Sequence, residues 1–480
     1  MSARMRELFG LLPVSLLVAA GFAAVLSTRT TDVQEATLTY GLVFLGLCVV
    51  GHIFIRAKLQ DADPYLFPLA ALLAAIGLVL IYRIDPELAR EQAQWFVVGL
   101  AFFCITILAI SDHHVLERYR YLIAAASIGL LAMPRLPGIG GQVNGAFLAI
   151  NVGPIQFQPA EFAKIGIIVF LASYLRETGD ILVRARLRPL PWQRQLLLYG
   201  VPALLALIAI VVLDLGPAGS VLLVVFTASL VAVLRERPSP KHFGPLLLVW
   251  GLAMLMLIFI RDLGSSLMFF GGFLALLYVA TGRLSLVGVG ATMFFGGAFF
   301  LAGSVAHVQE RVDIWLDPFK PGVVDDEGYQ IAQSLFAQAD GGLFGQGFGQ
   351  ALLELPGGGT ILPAAHTDLV YAVLANEAGL FGAAGLVGAY LLLVFRGFKV
   401  SLLATDGFSK LLAVGLTSVF ALQVFVIVGG VTRVIPLTGV TLPFVSYGGS
   451  SIVANMVLLA LLLIVSNHAR AERIRRGGLV

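Results

Sequence analysis

The side chains best suited to chemistry are concentrated in one segment, residues 306–366. They comprise four carboxylates, one cation and several amide or hydroxyl groups: Asp313, Asp317, Asp325, Asp326, Arg311, Gln330, Gln333 and Ser334. A carboxylate can accept a proton from a reacting hydroxyl, and a cation can stabilise developing negative charge. Connections of this length are usually functional rather than plain linkers. We therefore predict that the segment folds back against the protein and forms part of a binding site.

A second charged group consists of Glu161 and Lys164, within QFQPAEFAKIGIIVFLA (156–172). Pro159 suits the first turn of a helix, and a spacing of three places both charges on one helix face, where they can pair. The two side chains form either a structural ion pair or one charged wall of a substrate cavity.

Two further stretches place polar residues inside apolar sequence. One begins with His366, Thr367 and Asp368 and contains Glu377. The other, residues 429–463, is interrupted by proline and glycine and is typical of a re-entrant segment, whose non-helical backbone needs protein or a cavity beside it. Its polar side chains would line that cavity: Arg433, Thr438, Ser446, Ser450 and Ser451.

The rest of the chain has the composition of a membrane protein. Of its 480 residues, 59% are hydrophobic and 12% charged, with a mean hydropathy of +0.93; soluble domains carry about 25% charged residues. The net charge of +3 argues against a nucleic-acid partner, which requires clustered basic residues. Cys48 and Cys104 both lie in apolar stretches, so the sequence predicts neither a disulfide framework nor a cysteine metal site.

Apolar stretches long enough to cross a bilayer recur along the whole chain. About fourteen spans are predicted, at 10–28, 38–57, 65–83, 94–111, 119–134, 159–177, 197–214, 217–234, 243–261, 263–281, 285–305, 367–395, 411–431 and 443–466. Only hydrogen-bonded elements that satisfy their own backbone cross the hydrocarbon region, so the predicted fold is an all-α polytopic membrane protein.

The distribution of lysine and arginine predicts the orientation of these spans. With the N-terminus in the cytoplasm, every even-numbered loop and the C-terminus are basic, as the positive-inside rule requires. Both termini are then cytoplasmic, and the segment 306–366 is a large loop on the outer side. One repeat is also visible, because residues 204–225 resemble residues 252–273 and place Asp214 and Asp262 at equivalent positions.

Five strings in this sequence, taken in order, resemble the SEDS family (shape, elongation, division and sporulation). They are QPAEFAK, RDLGSSL, ERVDIWLDP with GYQIAQSLFA and GGLFGQGFG, LPAAHTDLVYAVLANEAGL, and PFVSYGGSS. The resemblance spans roughly residues 65–466 and implies ten core helices. This chain would then add an N-terminal pair within 1–62 to a membrane domain at 63–480, which contains an inserted pair at 197–234 and the outer loop at 306–366.

The resemblance implies a peptidoglycan glycosyltransferase in the cytoplasmic membrane. Such an enzyme polymerises lipid II, a disaccharide-pentapeptide on undecaprenyl pyrophosphate, at the outer face and works with a class B penicillin-binding protein, a transpeptidase. The string GGVTRVIPLTGVTLPFVSYGGSS favours the RodA-like elongation branch over the FtsW-like division branch. Two alternatives remain at this point: a flippase or transporter of a lipid-linked precursor, and a non-catalytic scaffold for a transpeptidase.

The resemblance also implies an essential aspartate a few residues before Gly328 and Tyr329. The family often has D-P-x-G-x-G-Y there, whereas this chain has the shorter VVDDEGYQ, so Asp325 and Asp326 both remain candidates, with Asp326 preferred. Asp317 is the third candidate. The chain also departs from the family at 144–153, where Phe147 and Ala149 replace the usual arginine and tryptophan.

Glycan polymerisation joins a sugar hydroxyl to an anomeric carbon while a lipid diphosphate leaves. Asp326 or Asp325 is the expected general base, because a hydroxyl must lose its proton to attack. Arg311 and Lys164 are the expected cations at the diphosphate, with Arg433 a weaker candidate. The diphosphate also suits a divalent cation such as Mg²⁺ or Mn²⁺, although no ligand spacing in the sequence requires one. The other predicted substrate contacts are Glu161, Gln330, Ser334, His366, Asp368, Ser446 and Ser450.

Overall fold

Long apolar helices account for most of the chain in the computed structural model. It describes residues 3–27, 34–136, 140–143, 146–152, 155–183, 193, 196–212, 217–236, 251–252, 262–302, 306–351, 353 and 361–477. The helices are α1 (Ala3–Ser27), α2 (Gln34–Lys58), α3 (Leu66–Ile84), α4 (Pro86–Ala109), α5 (His114–Arg118), α6 (Arg120–Ala132), α7 (Pro159–Val183), α8 (Val201–Val212), α9 (Pro217–Glu236), α10 (Leu263–Thr281), α11 (Leu284–Ala302), α12 (Ala306–Leu316), α13 (Tyr329–Gly341), α14 (Val370–Leu403), α15 (Gly407–Val431) and α16 (Gly449–Arg475).

Within those residues, eight helices are long and apolar enough to cross a membrane: α1, α2, α3, α4, α10, α14, α15 and α16. Shorter apolar helices lie at Leu196–Ile210 and Leu284–Ala298. Thirteen of the fourteen predicted spans coincide with helices, and the other, 243–261, lies almost wholly outside the described residues. The polytopic helical fold is therefore confirmed. The inserted pair at 197–234 coincides with α8 and α9, but the proposed duplication and the division into domains stay predictions.

A small antiparallel sheet was not expected from the sequence. Strands β1 (Gly140–Val143), β2 (Ala146–Val152) and β3 (Ile155–Phe157) follow one another in that order. β2 lies between the other two, and Ala149 pairs with Gly141 while Ile150 pairs with Phe157. Strands of three to seven residues give too little alternation of apolar and polar side chains to be recognised beside strong helical signals.

Helix α16 lies at the centre of the bundle. It packs against α4 and also contacts α3, α7, α14 and α15. Most of its side chains are buried, including an uninterrupted apolar run from Leu458 to Val465 that is almost entirely inaccessible. A helix that is apolar on all sides belongs in the interior of a bundle, so α16 is the element around which the other helices pack.

The two ends of the bundle differ in what they carry. The beginning of α1 and the end of α16 lie together, because Arg4 donates to the carbonyl of Ala62 and Arg470 lies 3.5 Å from Asp63. Arg396, near the end of α14, also pairs with Asp63. The segment 306–366 lies at the opposite end, beside the N-terminal ends of α4, α10, α14 and α16. The described part of the large loop and the described chain ends thus lie at opposite ends of the bundle, while the side of the membrane on which each lies stays a prediction.

The large loop folds back onto α14 at a kink. Gly379 has φ +66°, a conformation that disfavours residues with a Cβ, and its own absent Cβ would lie 2.5 Å from the carbonyl of Leu343. The kink frees backbone groups that residues 342–347 then satisfy: the amides of Gln346 and Gly347 donate to the carbonyls of Asn376 and Glu377 at 2.9 and 3.0 Å. The predicted folding of this segment against the bundle is confirmed for its described residues, 306–351, 353 and 361–366.

Candidate active site

A cavity of about 1240 Å³ occupies the end of the bundle opposite the chain termini. Its lining residues come from the start of α4, the small sheet, the large loop and the non-helical segment before α16. The polar ones are Glu91, Gln94, Trp95, Gln156, Gln158, Asp262, Glu310, Arg311, Trp315, Asp326, Glu327, Tyr329, Gln330, Thr367, Asp368, Thr438, Thr441, Tyr447, Ser450 and Ser451. The cavity exceeds the roughly 300–1,000 Å³ of ordinary small-molecule sites.

Asp326 enters this cavity from a compact turn that precedes α13. The amide of Gly328 donates to the carbonyl of Val323 at 2.8 Å, and the amide of Tyr329 donates to the carbonyl of Asp326 at 3.2 Å. A side chain on Gly328 would meet the carbonyl oxygens of Val323 and Pro318 within 3.0 Å, so the turn requires glycine at this position. Asp326 is exposed and lines the cavity, whereas Asp325, which is also exposed, does not line it.

Arg311 faces Asp326 and Gln330 across the same cavity, from helix α12. Its Nη1 donates to the carbonyl of Leu437 at 2.7 Å, which ties α12 to the segment before α16. Trp315 strengthens this contact, since its indole nitrogen donates to the carbonyl of Arg433 at 3.1 Å. Arg433 itself donates to backbone carbonyls of α12 and lies outside the cavity lining.

Asp368 lies just before α14, where burial raises the pKa of its carboxyl to about 6 and the positive charge of Arg311 opposes the rise. Asp262 caps the N-terminus of α10, accepting from the amide of Ser265 at 2.9 Å. Burial raises the pKa of Asp262 as well; the negative charge of Glu161 adds to the rise, and the hydrogen bonds from Ser265 and the charge of Arg311 oppose it. The buried carboxyl of Asp262 and the half-buried one of Asp368 thus face a cavity that contains one arginine, a setting that favours sharing protons or binding further positive charge.

Glu161 and Lys164 form the ion pair that their spacing predicts. The Nζ of Lys164 lies 2.6 Å from Oε2 of Glu161, and both side chains are at least 95% inaccessible. Neither lines the cavity, although Glu161 is close enough to Asp262 to affect its protonation. The pair therefore lies behind the cavity wall, where breaking it would leave a buried charge without a partner.

The segment between α15 and α16 is non-helical, as expected for a re-entrant stretch. Ser446 holds it in place: its hydroxyl accepts from the amide of Leu442 at 2.9 Å and donates to the carbonyl of Thr367 at 2.7 Å. The amide of Tyr447 donates to the carbonyl of His366 at 2.8 Å, and the two rings meet edge to face. Ser446 and His366 thus join two walls of the cavity without lining it.

The N-terminus of helix α16 lies at the cavity and is open to it. No side chain caps its N-terminus at Gly448, and the hydroxyl of Ser450 accepts from the amide of Gln158 at 3.0 Å. A Cβ on Gly449 would lie 2.2 Å from the ring of Trp95, so glycine is needed for the indole to lie against the helix start. An uncapped helix N-terminus presents backbone N–H groups and a partial positive charge, which favour an anion.

The structure brings seven of the predicted site residues to one cavity: Asp326, Arg311, Gln330, Asp368, Thr438, Ser450 and Ser451. It does not bring Asp325, Lys164, Glu161, Ser334, His366 or Ser446 to the lining. Ser334 is buried instead, and its hydroxyl donates to the carbonyl of Val431 at 3.3 Å. The side chain of Phe147 lies outside the described residues, and the buried Ala149 lines the cavity. A small residue at 149 leaves space there that a tryptophan would fill.

Sequence reasoning did not select several lining residues. Glu91, Gln94 and Trp95 lie on one face of α4, and a three-to-four residue spacing of polar groups in an apolar helix could have indicated them. Asp262 was noticed as part of a repeat but not as a site residue. Its equivalent, Asp214, lies outside the described residues.

The cavity offers carboxylates but no compact metal cluster. Across the ranges that the structure describes, no three His, Cys, Asp or Glu ligand atoms in the cavity lie within 4.8 Å of one another. A divalent cation there would therefore depend on one or two carboxylates, such as Asp326 or Asp368, together with oxygens of the ligand, which is the usual way Mg²⁺ is held beside phosphates.

Comparisons with known proteins agree with this architecture. The family model described as cell cycle protein, for FtsW, RodA and SpoVE, matches residues 64–236 and 219–471. The peptidoglycan glycosyltransferase RodA of Mycobacterium tuberculosis (strain ATCC 25618 / H37Rv) is 36% identical over 97% of this chain and 91% of its own length. Stage V sporulation protein E of Bacillus subtilis (strain 168) is 28% identical over 86% of this chain and 99% of its own length.

Two solved structures are also similar. A chain from a study entitled "Structural coordination of polymerization and crosslinking by a peptidoglycan synthase complex" has a TM-score of 0.58 at 28% identity, covering 85% of this chain and 98% of that one. The rod shape determining protein RodA of Thermus thermophilus has a TM-score of 0.50 at 26% identity, covering 84% and 96%. With the matched model covering most of the chain, this protein belongs to the FtsW/RodA/SpoVE family of cell cycle proteins.

Proposed function

We propose that this protein is a peptidoglycan glycosyltransferase that polymerises lipid II at the outer face of the cytoplasmic membrane. The names of its relatives support the activity, and the observation that carries it is the composition of the large cavity. Its walls combine an exposed carboxylate, Asp326, with a cation, Arg311, and the uncapped start of α16. These are the groups needed to accept a proton on one side and stabilise a leaving diphosphate on the other.

In this mechanism the acceptor hydroxyl oxygen forms a bond to the anomeric carbon of the donor sugar, and the bond from that carbon to the diphosphate oxygen breaks. Asp326 takes the hydroxyl proton. Arg311 and the free N–H groups at the start of α16 receive the negative charge that develops on the diphosphate. The direct displacement uses one base and inverts the configuration at the anomeric carbon.

Asp368 and Asp262 have a different role in this proposal. Their carboxyls lie near Arg311, and the charge of the diphosphate would add to theirs when substrate binds. A protonated carboxyl can donate a hydrogen bond to a phosphate oxygen, whereas an ionised one would repel it. A divalent cation held between a carboxylate and the diphosphate is the alternative that this arrangement also accommodates.

Orientation and partner are part of the same proposal. The lysine and arginine distribution supports cytoplasmic termini, which places the cavity on the outer side. A class B penicillin-binding protein is the proposed partner, and the similar chain from a peptidoglycan synthase complex supports a paired polymerase and transpeptidase. A role in cell elongation is favoured by 36% identity to a RodA, against 27% to the FtsW of Geobacter sp. (strain M18).

A comparison of two neighbouring aspartates tests the mechanism. Asp326→Asn and Asp325→Asn change two exposed carboxylates in the same turn, but only Asp326 lines the cavity. Purified full-length variants should be assayed for polymerisation of labelled lipid II with and without the partner transpeptidase. We expect Asp326→Asn to reduce the rate by about 10²–10⁴-fold and Asp325→Asn to leave it largely intact.

The opposite ranking would move the base to Asp325, and full activity in both variants would remove a loop aspartate from the mechanism. If the wild-type protein translocates lipid II across vesicles without polymerising it, the transporter alternative replaces the enzyme. If it polymerises only through the partner's own activity, the scaffold alternative does.

A further inference from the structure

Three of the chain's seven histidines meet at the end of the bundle that carries the chain termini, far from the cavity. His113 and His114 follow α4, and His468 lies in α16. One ligand atom from each of Asp112, His113 and His468 lies within 4.8 Å of the others, and the same holds for His113, His114 and Asp406. The two groups share His113, so four other possible ligands surround its imidazole.

His113 is the buried centre of this cluster. Its side chain is 0% exposed, and its ring stacks on Phe408 with the centroids 6.0 Å apart. Nε2 lies 2.5 Å from the hydroxyl of Ser409. In the tautomer that donates from Nε2, the lone pair lies on Nδ1. Nδ1 is buried and has no hydrogen-bond partner within the described part of the chain. A buried polar atom without a partner is costly, and in a native protein it indicates a missing ligand, ion or water.

The hydrogen bonds of His468 and Asp112 are also those expected of metal ligands. The Nδ1 of His468 lies 3.0 Å from the carbonyl of Ile464, which can only accept, so Nδ1 carries the proton and Nε2 carries the lone pair. Metal-bound histidines commonly donate their other N–H to a carbonyl in this way. Asp112 accepts from the amide and the Nδ1 of His114 at 3.0 and 2.8 Å, while its Oδ1 lies 3.8 Å from Nδ1 of His113.

We propose that Asp112, His113 and His468 bind a divalent transition metal of the zinc class. Ligand atoms 3.8 Å apart need only a small movement to share one ion with bonds of about 2.0–2.2 Å. Two imidazoles and a carboxylate suit zinc, whereas magnesium and calcium prefer oxygen ligands alone. The fourth position would be taken by water or by His114, whose Nε2 lies 3.5 Å from Asp406.

The connections of His113 also fit this role. A bound ion would connect the loop after α4 to α16 and, through Ser409 and Asp406, to the start of α15. The metal would therefore stabilise the packing of three helices at the end opposite the catalytic cavity.

Zinc binding by the full-length protein tests the inference. The protein should be purified in detergent through an affinity tag without histidine, stripped with a chelator, loaded with ZnCl₂, desalted and analysed for bound zinc, with Co²⁺ absorbance reporting the ligand geometry. We expect one zinc per chain, a Tm raised by zinc, and at least a tenfold loss of affinity in His113→Gln, His468→Gln and Asp112→Asn.

His52→Gln is the matched control, because His52 is also buried and lies 2.9 Å from a carboxylate, Glu7, but belongs to neither metal group. It should retain wild-type zinc binding. Asp112→Asn keeps the test valid if a histidine variant unfolds, since the side chain of Asp112 is 56% exposed. Substoichiometric zinc in the wild type, or equal binding in the Asp112 and His52 variants, would overturn the site.

Discussion

Both ends of the bundle contain charged groups that are shielded from solvent, but the two ends differ in how these groups are paired. At the end that carries the chain termini, Asp63 is held by both Arg396 and Arg470, and Arg4 is paired with Glu7. At the cavity end, neither Asp368 nor Asp262 has an ion-pair partner within 4.0 Å among the residues described. Charges that form ion pairs can stabilise the fold. A buried charge without a partner destabilises the protein, and such charges are common at functional sites.

The two ends of the bundle also differ in backbone conformation. The non-glycine residues with positive φ in the described chain are Ala364, Arg433 and Phe444, at +52°, +60° and +66°. All three lie in the segments that surround the cavity. Such conformations cost of order 1–3 kcal/mol each and cluster at functional sites. The segments around the cavity thus contain left-handed backbone and two carboxyls without an ion-pair partner, whereas arginines pair with Asp63 and Glu7 at the other end.

Asp63→Ala should produce the largest effect on stability. It leaves the buried Arg470 and the half-buried Arg396 without their common carboxylate, and breaking such a pair costs about 3–5 kcal/mol. Thermal unfolding in detergent should show a clear fall in Tm. Glu472→Ala is the matched control, because its pair with Arg476 is exposed and should not change Tm measurably. An equal fall in both variants would contradict the distinction between the buried and the exposed ion pairs at this end of the bundle.

Arg311→Gln should act mainly on catalysis. Removing the cation beside the diphosphate should lower the rate of lipid II polymerisation by about 10²–10³-fold. The Tm should change little, because Arg311 makes one described hydrogen bond to a backbone carbonyl, at Leu437. Lys164→Met is the informative comparison: it should lower Tm strongly, since Glu161 would remain buried alone. Activity loss without Tm loss in Lys164→Met would instead make Lys164 a substrate contact.

Asp368→Asn should change the dependence of stability on pH. The pKa of Asp368 is raised to about 6 in the folded protein, against about 3.9 when unfolded. The folded state therefore holds the proton more tightly, and the free energy of unfolding falls as pH rises through this window, by at most about 3 kcal/mol. Relative to Asp368→Asn, the wild type should lose Tm between pH 4 and pH 6 and then level off. A constant difference in Tm between the wild type and the variant from pH 4 to pH 8 would show that burial does not raise the pKa of this carboxyl.

The sequence identified part of the site because some chemistry has local signatures. Asp326 and Gln330 flank Gly328 and Tyr329 in a segment too polar for lipid, and the spacing of Glu161 and Lys164 predicted an ion pair that the structure contains. Glu91, Trp95 and Asp262 were not selected, because each sits in an apolar helix or at its cap and acquires a role only from neighbours hundreds of residues away. The same limit hid the histidine cluster, whose members come from positions 112–114, 406 and 468.

The sequence by itself determined that most of the protein lies in lipid and that its structural elements there are helices. Long apolar stretches must span lipid as helices, because no other open structure satisfies its backbone there. Only the tertiary structure decided which charges are paired and which face open space. Pairing depends on distances between helices that are set by packing around α16, and no local pattern records those distances. For that reason the separation of Asp326 from Asp325, and of Arg311 from Lys164, appeared only in the folded protein.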